Sequence, residues 1–172
     1  LWRSLRRLDV EVRVHKLPYE PYEGLYVAFP FALDQPRAFL HSGGATFEAE
    51  AEQLPGTCRD FYAVEHFVAV CDARRWVTLC PLDAPLVQLG EMTFGRWADH
   101  LFLRYGCIYS WVTNNFWYTN FPATQHGHLT FRYALTCGLG PLDLAQGEAF
   151  GRAARVGLVG AWAEDHQAPA LT

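Results

Sequence analysis

The chain has 172 residues, 51% hydrophobic, 15% aromatic and 19% charged, with a formal net charge of −4. That length suits one domain with a sizeable core, and 12 Phe, 8 Tyr and 6 Trp exclude a disordered chain, which has few aromatics. Mild acidity argues against a nucleic-acid partner, since neutralising phosphates takes clustered Lys and Arg, and no run of about 18 apolar residues is present to cross a membrane.

The first residues, Leu1-Trp2-Arg3-Ser4-Leu5-Arg6-Arg7-Leu8, include no initiator Met and no long apolar stretch of a signal peptide. They read as a chain already in progress, leading into a strand. From there the dominant period is two. Val10, Val12 and Val14 alternate with Glu11 and Arg13. Leu25, Val27, Phe29 and Phe31 alternate with Tyr26, Ala28 and Pro30, and Ala45, Phe47 and Ala49 with Thr46, Glu48 and Glu50. Such alternation places one set of side chains on each face of a strand with one buried side.

The middle is more apolar. His66–Cys71 and Trp76–Leu82 flank Asp72-Ala73-Arg74-Arg75 and predict a hairpin. Phe94–Leu103 has the character of a short helix, and Leu101–Val112 is a long aromatic run broken by Gly106. Leu129, Phe131, Tyr133 and Leu135 return to alternation. Asp143 predicts the cap of a helix running through Ala153, despite Gly147 and Gly151, and Ala161–Thr172 reads as a frayed tail. Turn residues at Pro18, Pro21, Pro36, Gly43-Gly44, Pro55-Gly56, Pro85 and Gly90 have the spacing of a many-stranded antiparallel protein. The expected fold is all-β, an antiparallel β-sandwich with one or two short helices. Residues 1–142 form the sandwich domain, and residues 143–172 a short helix and tail packed on it.

Five cysteines, Cys58, Cys71, Cys80, Cys107 and Cys137, match neither a C-x-x-C metal site nor a disulfide framework. They read as reduced, which points to an intracellular, cytoplasmic protein.

The stretch richest in chemistry runs from Tyr109 to Phe121 and on to Gln125, interleaving Trp111 and Trp117 with Asn114, Asn115 and Asn120. Aromatic faces cover the C–H face of a pyranose, and side-chain amides both donate to and accept from its hydroxyls. The competing reading is a buried aromatic strand whose asparagines shape turns. Asp83, in an apolar setting, either acts on a substrate or accepts hydrogen bonds from turn backbone before Pro85; the turn reading is preferred. His126 and His128 share a strand face and can bind a metal, but no third ligand is evident. Glu65 and His66 would make an acid–base pair, except that neighbours on a strand point to opposite faces. Glycoside hydrolysis takes two positioned carboxylates, and no spacing singles out a pair among Asp60, Asp83, Glu91 and Asp99. No catalytic or metal-ligating residue is assigned.

Several segments carry a resemblance. Glu23-Gly24-Leu25-Tyr26-Val27-Ala28-Phe29-Pro30-Phe31 resembles the E-x-x-Y-V-A-F-P-F strand of family 38 glycoside hydrolases, the α-mannosidase-type enzymes, downstream of their catalytic barrel. Similar segments follow in the family's order: Asp60–Val64, Asp83–Gly90, Asn114–Phe121 and Gln125-His126-Gly127. Together they cover roughly Asp9 to Asp143. The resemblance implies a β-sandwich of the galactose-mutarotase-like supersandwich kind. It also implies a parent enzyme that cleaves α-linked mannose or a similar sugar with retention, using an Asp nucleophile and commonly zinc. Those groups belong to the barrel, which nothing in this sequence matches, so no cofactor is expected here. The expected partners are a catalytic barrel of the same chain and carbohydrate. Trp111, Asn114, Asn115, Trp117, Asn120 and Gln125 are the expected sugar or interdomain contacts. Two alternatives are a stand-alone carbohydrate-binding module and a purely structural docking domain.

Overall fold

In the computed structural model the described residues are 5–93, 97–116, 124–156 and 160. Ten strands run in chain order: β1 (Leu8–Lys16), β2 (Gly24–Phe29), β3 (Arg37–Ser42), β4 (Ala45–Glu48), β5 (Tyr62–Ala63), β6 (Val68–Cys71), β7 (Arg75–Pro81), β8 (Leu86–Leu89), β9 (Ile108–Asn114) and β10 (Gly127–Leu139), followed by one helix, α1 (Leu144–Val156). Six of the strands make one sheet, in the order β1-β10-β7-β6-β3-β4, and four make a second, in the order β2-β9-β8-β5. Every pairing is antiparallel. The protein is an all-β sandwich, as the alternation predicts.

The two sheets meet through the alternating residues. Val10 and Val12 of β1 lie opposite Tyr133 and Phe131 of β10 and lean on the core that Leu40, Val68, Val70, Leu79, Val87 and Ile108 fill. Tyr133 crosses from one sheet to the other. Its ring meets Phe29 edge-on at 4.9 Å, and its hydroxyl hydrogen-bonds Ser110 Oγ at 3.0 Å. That bond satisfies two buried hydroxyls that would otherwise be costly inside.

The hairpin forms where the turn signal lies, with Arg75 joining β7 rather than the turn. Asp72 explains it: its carboxylate accepts the backbone N–H groups of Arg74 and Arg75 at 2.8 and 2.9 Å, an Asx turn. β6 departs from alternation because it is buried on both faces. Val68 and Val70 face the sandwich core, whereas Thr78 and Cys80 of neighbouring β7 are fully buried without belonging to that core. Their cover is α1, whose Gly151 carbonyl lies 3.8 Å from Cys80 Sγ.

α1 begins where Asp143 predicts it, with the Asp143 carboxylate accepting the N–H of Ala145 at 2.9 Å, an N-cap. Its two glycines are a packing device. Gly147 and Gly151 are the buried residues of the helix, and a Cβ on Gly151 would stand 2.8 Å from the carbonyl oxygen of His66. The helix backbone therefore lies directly on the chain before β6.

Three expectations are corrected. The predicted helix over Phe94–Leu103 is absent over its described part, 97–103, which is loop. Its N–H groups go to carboxylates of a facing loop instead of to a helical ladder: Ala98 N donates to Asp60 Oδ1 and Leu101 N to Glu50 Oε2. Phe102 also passes so close to Gly90 that a Cβ there would lie 1.9 Å from its carbonyl oxygen. Second, His66 is not in a strand, since β6 starts at Val68. Third, the hydrogen bonds to Asp83 come from a distant strand rather than from its own turn. Arg132 of β10 grips it with Nε and Nη2 at 2.9 and 2.7 Å and with its backbone N–H at 2.7 Å. That grip holds the Asp83 carboxyl below the usual range.

Candidate functional site

The central strand of the four-stranded sheet carries the cleft of interest. β9 has β2 on one side and β8 on the other. Its register against β2 slips between Leu25 and Tyr26, leaving Val112 without a partner. A bulge of this kind bends a strand and re-aims its side chains, commonly beside a site. Here it lies within a cleft of about 380 Å3 lined by Phe61, Leu86, Trp111, Val112, Thr113, Asn114 and Gln125.

The floor of the cleft is aromatic. Trp111 stacks on Tyr26 with ring centroids 5.6 Å apart and meets Phe61 edge-on at 5.7 Å. Burial pushes the Tyr26 hydroxyl up to about 12, so it remains protonated at neutral pH. The indole N–H of Trp111 is buried without a hydrogen-bond partner among the described residues, as is Thr113 Oγ1. The rim is polar. Gln125 Oε1 accepts the backbone N–H of Asn114 at 3.2 Å, and Asn114 Oδ1 accepts that of Phe116 at 2.9 Å. With both carbonyl oxygens engaged, the two amide NH2 groups are the donors each side chain presents to a ligand.

Of the six residues singled out by sequence, Trp111, Asn114 and Gln125 line this cleft together. Asn115 does not line it. It is buried, with Nδ2 donating to the carbonyls of Tyr19 and Pro21 at 3.1 and 3.0 Å and Oδ1 accepting Glu23 N at 2.6 Å. Those bonds fasten the chain before β2 to the end of β9. Trp117 and Asn120 lie outside the described residues. Phe61, Leu86 and Thr113 join the cleft without having been singled out. The signal that could have found the first two is their membership in the segments Asp60–Val64 and Asp83–Gly90.

A second cleft, of about 600 Å3, lies between the loops 55–60 and 97–100. It brings together two of the four candidate carboxylates, Asp60 and Asp99, with Arg59, Trp97 and His100. The other two are engaged elsewhere, Asp83 with Arg132 and Glu91 with Arg104. Glu50 ties the two loops together. In the left-handed backbone region (φ 70°), it hydrogen-bonds His100 Nδ1 at 2.9 Å, Leu101 N at 2.9 Å and Arg59 Nε at 2.7 Å. The bond to His100, then the Leu101 N–H, hold its carboxyl down to about 2, against an ordinary 4.5.

A carboxylate with a lowered folded-state pKa stabilises the fold fully above its unfolded value and loses that contribution as pH falls through the folded value. The Glu50 contribution is therefore whole above about pH 4.5 and fades towards pH 2. Urea midpoints at pH 7 and pH 3 check this. The drop between them is expected to be smaller in Glu50→Gln than in the parent chain, and equal drops would refute it.

The His126-Gly127-His128 pair is exposed at the start of β10, where His128 stacks on His15 of β1 at 4.3 Å. All five cysteines are free, with Cys71 and Cys80 buried. Among the described residues no helix is long and apolar enough to cross a membrane. Compared with known proteins, the chain matches no family model, and no curated protein matches it significantly.

Proposed function

We propose that this chain is the non-catalytic β-sandwich domain of a glycoside hydrolase resembling the family 38 α-mannosidases. In this reading it packs on a catalytic barrel, and the Trp111 cleft forms part of the wall of the sugar site. One observation carries the proposal. Four segments whose wording resembles that family, spread from residue 60 to residue 127, each contribute to the same cleft: Phe61, Leu86, Asn114 and Gln125. Segments that served only the core would have no reason to converge on a surface hollow with an aromatic floor and an amide rim. Such a floor and rim suit a pyranose, with apolar C–H groups on one face and hydroxyls around its edge.

The test uses the chain itself. With an aryl α-mannoside it is expected to show no turnover, and robust hydrolysis would overturn the non-catalytic reading. Titrating α-mannosides while following side-chain NMR signals is expected to shift the Trp111 indole and the Asn114 and Gln125 amides. Gln125→Ala removes an exposed side chain and is expected to weaken binding about two- to tenfold, the worth of one neutral hydrogen bond. A titration that stays flat to high millimolar sugar removes carbohydrate from the proposal.

A further inference from the structure

On the six-stranded sheet, the face turned away from the sandwich core holds a cluster that the proposed function does not use. Ala38 and Leu40 of β3 point into the core, so His41, next in the alternation, points the other way. It is fully buried there. The segment before β6 runs beside it, fixed by two backbone bonds: His41 N to Phe67 O at 2.9 Å and Glu65 N to His41 O at 2.8 Å. This brings the His66 ring to 4.6 Å from the His41 ring, centroid to centroid, and Glu65 Oε2 to 3.3 Å from His41 Nδ1.

We propose that His41, Glu65 and His66 form a binding site for a first-row divalent transition metal, with zinc the best match to the ligand set. One ligand atom from each residue lies within 4.8 Å of the others. Both histidines are more than nine-tenths buried, and the Nδ1 of each has no hydrogen-bond partner among the described residues. A buried polar atom left unpartnered is costly, and two in one cluster call for a ligand. Burial, and after it the neighbouring His41, push the pKa of His66 down. Neutral imidazole is the form that binds a metal.

Glu65 completes the set as an ionised carboxylate. Its Oε2 accepts the N–H of Gly44 at 2.9 Å, which holds its carboxyl below the usual range. That N–H is available because Gly43 and Gly44 form the two-residue turn between β3 and β4, both with positive φ. On the far side of His41, Glu148 of α1 stands 3.9 Å from Nε2. A carboxylate commonly stands behind a metal-ligating imidazole in this way. Glu148 is in turn paired with Arg152 one turn along the helix.

Two imidazoles and one carboxylate suit zinc and its neighbours rather than calcium or magnesium, which take oxygen ligands. Bonds of about 2.0–2.2 Å require the three atoms, which lie within 4.8 Å of one another, to draw together. Glu65, whose side chain is half-exposed, is the ligand with the most room to move. The same exposure gives the ion its path in and leaves a coordination position open to water.

Titration of the chain with Zn2+ by calorimetry, and with Co2+ by visible absorption, tests the site. One equivalent is expected to bind and to raise the melting temperature. Glu65→Gln and His66→Asn are expected to weaken binding by more than about 100-fold, beyond the 10–100-fold typical of outer-shell partners. His128→Ala and Cys58→Ser, both exposed and neither among the three ligands, are expected to bind as the parent does. If His66→Asn fails to fold by circular dichroism, Glu65→Gln at the surface decides alone. No saturable binding by the parent chain would overturn the proposal. So would affinity that survives Glu65→Gln, or that falls with His128→Ala or Cys58→Ser instead.

Discussion

Replacing Gly151 with valine is expected to lower the unfolding free energy by about 3 kcal/mol, the upper end of the usual overpacking penalty. Its Cβ would lie 2.8 Å from the His66 carbonyl oxygen and 2.9 Å from the carbon. These are backbone atoms, and both ends of that backbone are held, by the β3 pairing and by the start of β6. A bulkier residue must therefore lift α1 from the sheet, uncovering Cys80 and Thr78. Gly147 makes the informative contrast. A Cβ there meets the ring of Phe67 at 3.1 Å, and a ring edge can shift by a few tenths of an ångström. Alanine also favours a helix over glycine by up to about 1 kcal/mol. Gly147→Ala is accordingly expected to stay within about 1 kcal/mol of the parent. Urea denaturation of both variants, with an unchanged slope, checks the pair. Equal costs at the two positions would mean that the helix does not rest on the His66 backbone.

Leu40→Ala is expected to cost about 3–4 kcal/mol, within the 2–5 kcal/mol typical of buried leucine truncations. Leu40 is fully buried in β3, paired with Phe47 of β4 on one side and Val68 of β6 on the other. Its side chain sits among core residues contributed by both sheets, so neither sheet can close over the cavity without leaving its own pairing. Stabilities of this size of domain run to about 5–15 kcal/mol, so the loss would be a large fraction of the whole. Leu139, at the exposed end of β10 with 88% of its surface accessible, is the matched control. Leu139→Ala is expected to change stability by less than about 0.5 kcal/mol. A small effect at Leu40 would show that the two sheets do not share one core.

What could be read from sequence follows the physics of each element. β1 and the first half of β10 cover one side more than the other, and a strand of that kind writes its burial into alternate residues. Asp72 and Asp143 act on backbone two or three residues away, so the hairpin and the start of α1 were legible from local chemistry. The loop over Trp97–Leu103 was not. Its helical pattern is real, but Asp60 and Glu50, distant in sequence, take the N–H groups that a helix would need. The local geometry at Glu65 and His66 was not legible either, since both precede β6, and Glu65 turns to His41, which is distant in sequence.

By itself, then, the sequence determined that this is an antiparallel β-protein, where most of its strands run, and that aromatic rings and amides gather between Trp111 and Gln125. Those properties depend on period, turn chemistry and composition, all carried by near neighbours along the chain. Only the tertiary structure decided that Phe61 and Leu86 complete one cleft with Trp111, that the Asn115 amide belongs to the backbone before β2, and that His41 meets His66 beneath α1. Each of these depends on strand order, and the last also on the close approach that two helical glycines permit. Pairings between distant segments leave no periodic trace in either partner alone.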